Sequence, residues 1–351
     1  MTNSLFLFGN GLGMSIDPNF YSIESGLNRA WDDSGLTDAD KALIYQALGR
    51  QSNSDDAPPK SEDEFFNLQK IVNACDFIRQ FEQKSDVTWL TPEGAKFPDA
   101  IGKFIFEVAS TYMSTEEYPP DNRTLKLDFA NSLIDFISKQ GAHIVTLNYD
   151  DLLYDKINKS DITKEGVICD GFLKGRFDFA TSEKWYQKRY KLRKNISWFL
   201  HLHGSPLFQD DEKGGQKKLR RPELRDWVVG FQVLQNKRSR HIVLTHSSHK
   251  EDTIHSSPIL KKYWSKFLNL LEECNNIILF GYSGCDPHVN DAINNNCPPD
   301  AKIRIVEWAD PKATHQDRCK FWAKELVRQI EECDIIRLGD IQEFRDWAMP
   351  T

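Results

Sequence analysis

One short apolar run, broken by three glycines, constrains this chain more than any other feature. Leu5-Phe6-Leu7-Phe8 has the aromatic and branched character, and the length, of one buried strand. It runs into Gly9-Asn10-Gly11-Leu12-Gly13-Met14-Ser15, with glycine at alternate positions. Glycine lets the backbone turn sharply there and lets another group approach it closely. A helix starting near Ser15 would aim its free N–H groups at that turn, where phosphate is the natural occupant. The spacing is G-x-G-x-G, not the dehydrogenase G-x-G-x-x-G. Asp32 and Asp33 stand where that pattern wants an acid, but the residues before them read as helix rather than strand. A Gly-rich strand-to-helix turn with no ligand satisfies the same pattern.

The 351 residues suit one large domain or two smaller ones, and 9 Trp with 22 Phe can fill a core. No apolar run approaches the length that crosses a membrane, and no basic stretch precedes the first apolar run as in a signal peptide. The seven Cys are scattered and none forms Cys-x-x-Cys, which points to reduced thiols in the cytoplasm and away from a zinc ribbon. Charge is uneven. Residues 1–130 hold 11 Lys and Arg against 21 Asp and Glu, whereas residues 181–250 hold 16 against 6. The basic stretches Lys188–Lys194 and Lys217–Arg221 suit phosphate, an acidic partner, head-to-tail self-association, or simply a solvated helix face.

Residues 16–142 read as mostly helical. Leu36–Leu48 is amphipathic, Gln51–Lys60 is a polar linker, and Ser61 with Glu64 has the form of a capping box. Behind it Phe65, Leu68, Ile71, Val72, Cys75 and Ile78 recur at helical spacing; Pro92, Pro98 and Pro119-Pro120 punctuate the next helices. This block carries no chemistry of its own and reads as a helical insertion between the first strand and the rest of a sheet.

Strand and helix alternate from Gly141. Ala142–Leu147 is a strand candidate ending in Asn148-Tyr149-Asp150-Asp151, beyond the carboxyl end of a strand, where ligands of open α/β sheets collect. One of the two aspartates is expected to cap the following helix. Ile196–Leu200 delivers His201-Leu202-His203-Gly204-Ser205-Pro206; alternation sets both His on one side, and a His at a strand end suits an accessible base titrating near neutrality. A metal pair is the competing view, disfavoured because no carboxylate or Cys is near, and because His246, His249 and His255 fall in a Ser-rich loop; no metal is expected. Further strands are read at His241–Thr245, Asn276–Phe280, Lys302–Val306 and Ile335–Leu338, with helices at Thr314–Ile330 and Asp340–Trp347. Gly281-Tyr282-Ser283 at a strand end suits ribose or phosphate, Asp286-Pro287 suits a helix start, and Glu307 suits ribose hydroxyls.

In this order, Gly9-Asn10-Gly11 through Ser15, Thr146-Leu147-Asn148-Tyr149-Asp150, His203-Gly204-Ser205 and Gly281-Tyr282-Ser283 resemble the motifs of the sirtuin superfamily. Within it the chain looks like the bacterial sirtuin-like NAD-consuming proteins of antiphage defence. Gly281–Ile293 is the most specific stretch, and Leu244-Thr245 through Lys250 and Ser257-Pro258 also fit. The resemblance covers roughly residues 1–20 and 141–310 and not the helical block; it implies a Rossmann-like α/β parallel sheet, and with the reading of the residues it gives 1–22 and 141–351 as the NAD-binding domain and 23–140 as a helical insertion. It implies Asn148 on ribose and water, and His203 as base. It implies Asp150 on the nicotinamide amide, and the Gly9, Asn10, Gly11 and Ser15 turn on the phosphates. Deacylating sirtuins carry four zinc-binding Cys after the His-Gly, and here there are none. Asn10 replaces the usual alanine, two extra residues precede Ser15, and Pro18-Asn19-Phe20 lacks the usual Arg. The expectation is therefore an NAD hydrolase, with a non-catalytic NAD or ADP-ribose sensor in a nucleic-acid-associated complex and a protein deacylase as alternatives. The resemblance also implies a homo-oligomer and admits a HerA-like ATPase as its partner.

Overall fold

The computed structural model describes residues 4–32, 36–50, 57–60, 62–84, 86–113, 123–160, 162, 168–190, 196–211, 213–220 and 239–348. Ser61 of the expected capping box, Pro119-Pro120, most of the 51–60 linker, and Lys191, Arg193, Lys194 and Arg221 of the basic stretches lie outside them.

Strand β1 (Ser4–Phe8) is followed by helices α1 (Gly11–Met14), α2 (Pro18–Tyr21), α3 (Ile23–Asp32), α4 (Asp38–Ala47), α5 (Glu62–Glu82), α6 (Pro92–Ser110) and α7 (Leu127–Gln140). Then come β2 (His143–Thr146), α8 (Leu152–Lys159), β3 (Ile168–Cys169), β4 (Phe172–Leu173), β5 (Arg176–Phe177), α9 (Phe179–Tyr190), β6 (Ser197–His201), β7 (Phe208–Asp210) and β8 (Gln216–Lys218). The chain closes with α10 (Ser247–Ser256), α11 (Pro258–Glu273), β9 (Asn276–Phe280), α12 (Pro287–Asn296), β10 (Lys302–Trp308), α13 (His315–Glu325) and β11 (Ile335–Leu338).

Seven strands form one parallel sheet in the order β11-β10-β9-β1-β2-β6-β3. This is the Rossmann-like α/β arrangement expected from the sequence. All five residues of β1 are buried, as a central parallel strand covered on both faces requires. Registry pairs Phe8 with Thr146 and Phe280, Thr146 with His201, and Phe280 with Val306. The next residues along each strand, Gly9, Leu147, Leu202, Gly281 and Glu307, therefore stand at one level, the first four just past their strands and Glu307 still within β10, opposite Arg337 of β11. The chain runs outward from β1 to β2 on one side and returns to β9 on the other, so β1 marks the switch point where a crevice opens. A second, antiparallel sheet, β4-β5-β8-β7, is tied to α8 by contacts of Lys218 with Asp170 and Tyr154.

Helices α3–α7 lie in sequence between β1 and β2, which are neighbours in the sheet. Trp31 meets Tyr45 and Phe104 edge-on, and Phe65 stacks on Phe104. The apolar interior is continuous with that of the sheet.

Three expected elements differ, the first being the helix read at Thr314–Ile330, which runs only over His315–Glu325. His241–Thr245 is no sheet strand: it follows a 3-10 turn and makes one antiparallel bridge, Ile242 to Gly204, with Val243 N–H donating to His203 C=O at 2.9 Å. It crosses the carboxyl edge of the sheet instead of extending it. Asp340–Trp347 holds only the 3-10 turn Ile341–Glu343. Arg304 Nη1 donates to the carbonyls of Asp346 (2.7 Å) and Ala348 (2.9 Å), and Trp347 docks on Phe6, Phe8, Phe129 and Phe280, so tertiary contacts outweigh helix propensity.

Candidate functional site

A cavity of about 850 Å³ lies beyond the carboxyl ends of β1, β2, β6, β9 and β10. Gly9, Asn10, Gly11, Asn148, Asp150, His203, Gly281, Tyr282, Ser283 and Glu307 all line it. From β6 to β10 there are four strand spacings, or roughly 19 Å, enough for an extended ligand to lie across the sheet edge.

The glycine turn is built differently from expectation. The helix begins at Gly11, and Ser15 ends it, its hydroxyl donating to Leu12 C=O at 2.7 Å; Ser15 is not in the cavity lining. A Cβ on Gly9 would stand 2.6 Å from Gly281 O and Tyr282 Cα, and one on Gly11 would stand 2.7 Å from Gly281 Cα and O. These glycines let β1 and β9 turn against each other, so their first task is backbone against backbone. Asn10 Nδ2 donates to Tyr21 C=O at 2.9 Å and fastens the turn to α2.

Asn148 is buried at the end of β2. Its Nδ2 donates to Gly9 C=O at 3.1 Å, bridging the two central strand ends, and its backbone N–H donates to Thr146 Oγ1 at 3.1 Å. Its Oδ1 is buried without a hydrogen-bond partner. A native buried amide oxygen left so invites a ligand donor. Asp150 accepts from Leu152 N–H at 3.0 Å and so serves the start of α8, while Asp151 stands at the N-cap position without a side-chain cap bond. Burial above all, with Asp151 adding, pushes the Asp150 carboxyl up to about 7. A protonated carboxyl there can both donate to and accept from an amide.

The two expected histidines part company. His201 is a core residue between Tyr154, Phe199 and Phe208. His203 lies past the strand, in the cavity wall, with Nε2 at 3.2 Å from Nε2 of His288. It does not titrate near neutrality: burial, foremost, holds it down to about 3, so the ring is neutral at physiological pH. His246 and His249 are not in a loop; they flank the start of α10, where both rings pack on Phe66.

Glu307 reaches the far end of the cavity already engaged. Arg318 donates to both its oxygens at 2.7–3.0 Å, Trp322 Nε1 donates at 3.0 Å, and Arg337 Nε stands at 3.4 Å. Any ribose hydroxyl would therefore meet a carboxylate fixed by cations. Tyr282 is fixed too, its hydroxyl donating to Asn290 Oδ1 at 2.8 Å.

Some participants were not singled out in the sequence. Asp286, read as a helix cap, makes no side-chain cap; its Oδ1 accepts from Lys250 Nζ at 2.5 Å. His288 backs His203, and Tyr112 of the insertion joins Tyr149 in the wall. Only Asp286-Pro287-His288, so close after a strand end, offered a signal. His203, Asp286 and His288 place ligand atoms within 4.8 Å of one another, but the Lys250 ammonium already supplies that carboxylate with a cation.

Residues 142–330, just over half of the chain, match the model of a family described as a SIR2-like domain. No curated protein matches the chain.

Proposed function

The chain belongs to the SIR2-like domain family, and from that premise we propose that it is an NAD hydrolase, cleaving the nicotinamide–ribose bond to give nicotinamide and ADP-ribose. The observation that carries this reading is the pairing of Asn148 and His203 on adjacent strand ends of one cavity, with Asn148 Oδ1 buried and unpartnered. The strand ends that the cavity crosses give it the length of a dinucleotide.

Breaking the bond passes through an oxocarbenium-like state, as in glycoside cleavage. Nicotinamide departs neutral, so no carboxylic general acid is needed. Asn148 Oδ1 accepts from a ribose hydroxyl or from the attacking water and fixes its place. Neutral His203 takes the proton that water gives up as its oxygen bonds to the ribose carbon. Asp150 meets the nicotinamide amide, and the Gly9–Gly11 turn with Gly281–Ser283 takes the phosphates. The biological role that goes with this chemistry is NAD depletion in antiphage defence, by a homo-oligomer working beside a HerA-like ATPase.

Incubation with NAD, followed by chromatography with and without an acylated peptide, tests the reading. Free ADP-ribose and nicotinamide without peptide are expected. An acylated ADP-ribose formed only with peptide would replace this reading with deacylation, and bound but intact NAD would make the chain a sensor.

A further inference from the structure

The far end of the cavity holds more positive charge than ribose hydroxyls call for. Glu307 of β10 and Arg337 of β11 are register partners, and Arg318 reaches them from α13. All three line the cavity, their side chains 10%, 12% and 23% exposed. Asp310 lines it too, but it is exposed, and its Oδ1 accepts the Lys312 N–H at 2.8 Å. The buried set at this end is therefore two guanidiniums against one carboxylate.

Hydrogen-bond capacity is uneven in the same direction. The Glu307 carboxylate accepts from Nε and Nη2 of Arg318 and from Trp322 Nε1, which leaves little of it for a hydroxyl. Each guanidinium carries five N–H donors. Arg337 Nη2 donates to Asp310 C=O at 2.8 Å, but its Nε is buried without a hydrogen-bond partner, 3.4 Å from Glu307 Oε1. Among the described residues nothing accepts from Nη1 of either arginine. Surplus donors on a planar fork suit phosphate oxygens. Trp308, the last residue of β10, also lines the cavity and is 65% exposed, an aromatic face on which a base can stack.

We infer that this end of the cavity is a subsite for a 2′-phosphorylated adenosine, with Arg337 and Arg318 on the phosphate, so that the chain takes NADP at least as tightly as NAD. The inference rests on the proposed dinucleotide site, in which the nicotinamide lies by Asn148 and His203 and the glycine turns take the diphosphate. The adenosine then falls at β10. In open α/β sheets a carboxylate at a strand end reads ribose hydroxyls, and an arginine nearby accommodates a 2′-phosphate. Both stand here, and the carboxylate is the one already engaged. A phosphate monoester near pH 7 carries a charge of about −1.5 to −2, which answers the surplus guanidinium.

Calorimetry with ADP-ribose and 2′-phospho-ADP-ribose tests this. They are what NAD and NADP leave when nicotinamide is gone, they differ by one phosphate, and binding them needs no turnover. The wild-type protein should bind the 2′-phosphorylated form at least as tightly as ADP-ribose; weaker binding overturns the inference. Arg337→Met should weaken the 2′-phosphorylated form by about tenfold or more, the scale of one charge-assisted hydrogen bond, and ADP-ribose by less than about threefold. Equal loss of both would make Arg337 a brace between β10 and β11 and overturn its role on the phosphate. Should Arg337→Met not fold, the wild-type comparison decides by itself. Tight ADP-ribose with a rejected 2′-phosphate sinks this inference and leaves the hydrolase reading standing. Absence of cleavage of either dinucleotide sinks the hydrolase reading, while the ratio of the two affinities still judges the subsite. If neither form binds, the dinucleotide cavity is refuted and the inference with it.

Discussion

Replacing Asn148 with alanine separates a structural amide from a functional one. The side chain makes one hydrogen bond, Nδ2 to Gly9 C=O at 3.1 Å, and leaves Oδ1 buried and unpartnered. Losing an ordinary hydrogen bond costs about 0.5–1.5 kcal/mol, whereas a buried unsatisfied polar atom costs about 1–3 kcal/mol and its removal returns that amount. Gly9 C=O keeps the Leu12 N–H at 3.2 Å, so alanine strands no acceptor. The two effects oppose, and Asn148→Ala should leave the unfolding free energy between about 0.5 kcal/mol lower and about 2.5 kcal/mol higher. Turnover should behave otherwise. If Oδ1 fixes the ribose or the water, its loss should slow NAD cleavage by about a hundredfold or more, near 2.7 kcal/mol of barrier. Urea denaturation and a chromatographic assay on one preparation measure both. Destabilisation beyond about 3 kcal/mol would mean the amide is structural, and full turnover in a folded variant would remove Asn148 from the chemistry.

His203→Ala should slow cleavage by about a hundredfold to ten-thousandfold while ADP-ribose affinity, measured by calorimetry, changes far less; equal loss of both refutes the division of labour. Gly11→Ala should act on stability before binding: its Cβ would lie 2.7 Å from the Gly281 backbone, and forced overpacking of this kind costs about 1–3 kcal/mol, so an unchanged urea midpoint would contradict the close approach of the two turns. His143 accepts from Trp198 N–H at 3.1 Å and burial holds it down to about 3, as it does His201 and His203. A depressed pKa contributes stability that is present above pH 6.5 and lost as pH falls towards 3, about 2 kcal/mol for each ring by pH 5. Asp150 and Glu107, raised to about 7 by burial, work the other way, their contribution present below about pH 4 and lost as pH rises through 7. Burial holds His288 down as well, to about 4, so four rings lose more than two carboxyls gain, and stability should fall from pH 7 to pH 5 and further below pH 4.5 in urea titrations; a protein most stable at pH 3.5 would show that the rings are not buried neutral.

Periodicity alone was enough to locate β1, β2, β6, β9, β10 and β11 to within two residues, because a strand buried on both faces must be apolar without interruption and must stop where the backbone turns. Most strand ends were therefore legible, and with them the residues just beyond, Asn148, His203 and Gly281, whereas Glu307, read as past its strand, lies within β10. What those side chains meet was not legible. Neutral His203 and the carboxyl of Asp150 near 7 depend on burial, and the carboxylate of Glu307 on the partners that the helix after β10 brings back to it. His201 and His203 share a local pattern, yet one fills the core and the other faces the cavity, since the strand stops between them. The glycines at 9 and 11 announced a close approach without saying to what; only the parallel pairing of β1 with β9 sets Gly281 against them. Local sequence fixes which way a backbone can go, whereas charge state and contact are set by whatever the sheet order brings alongside.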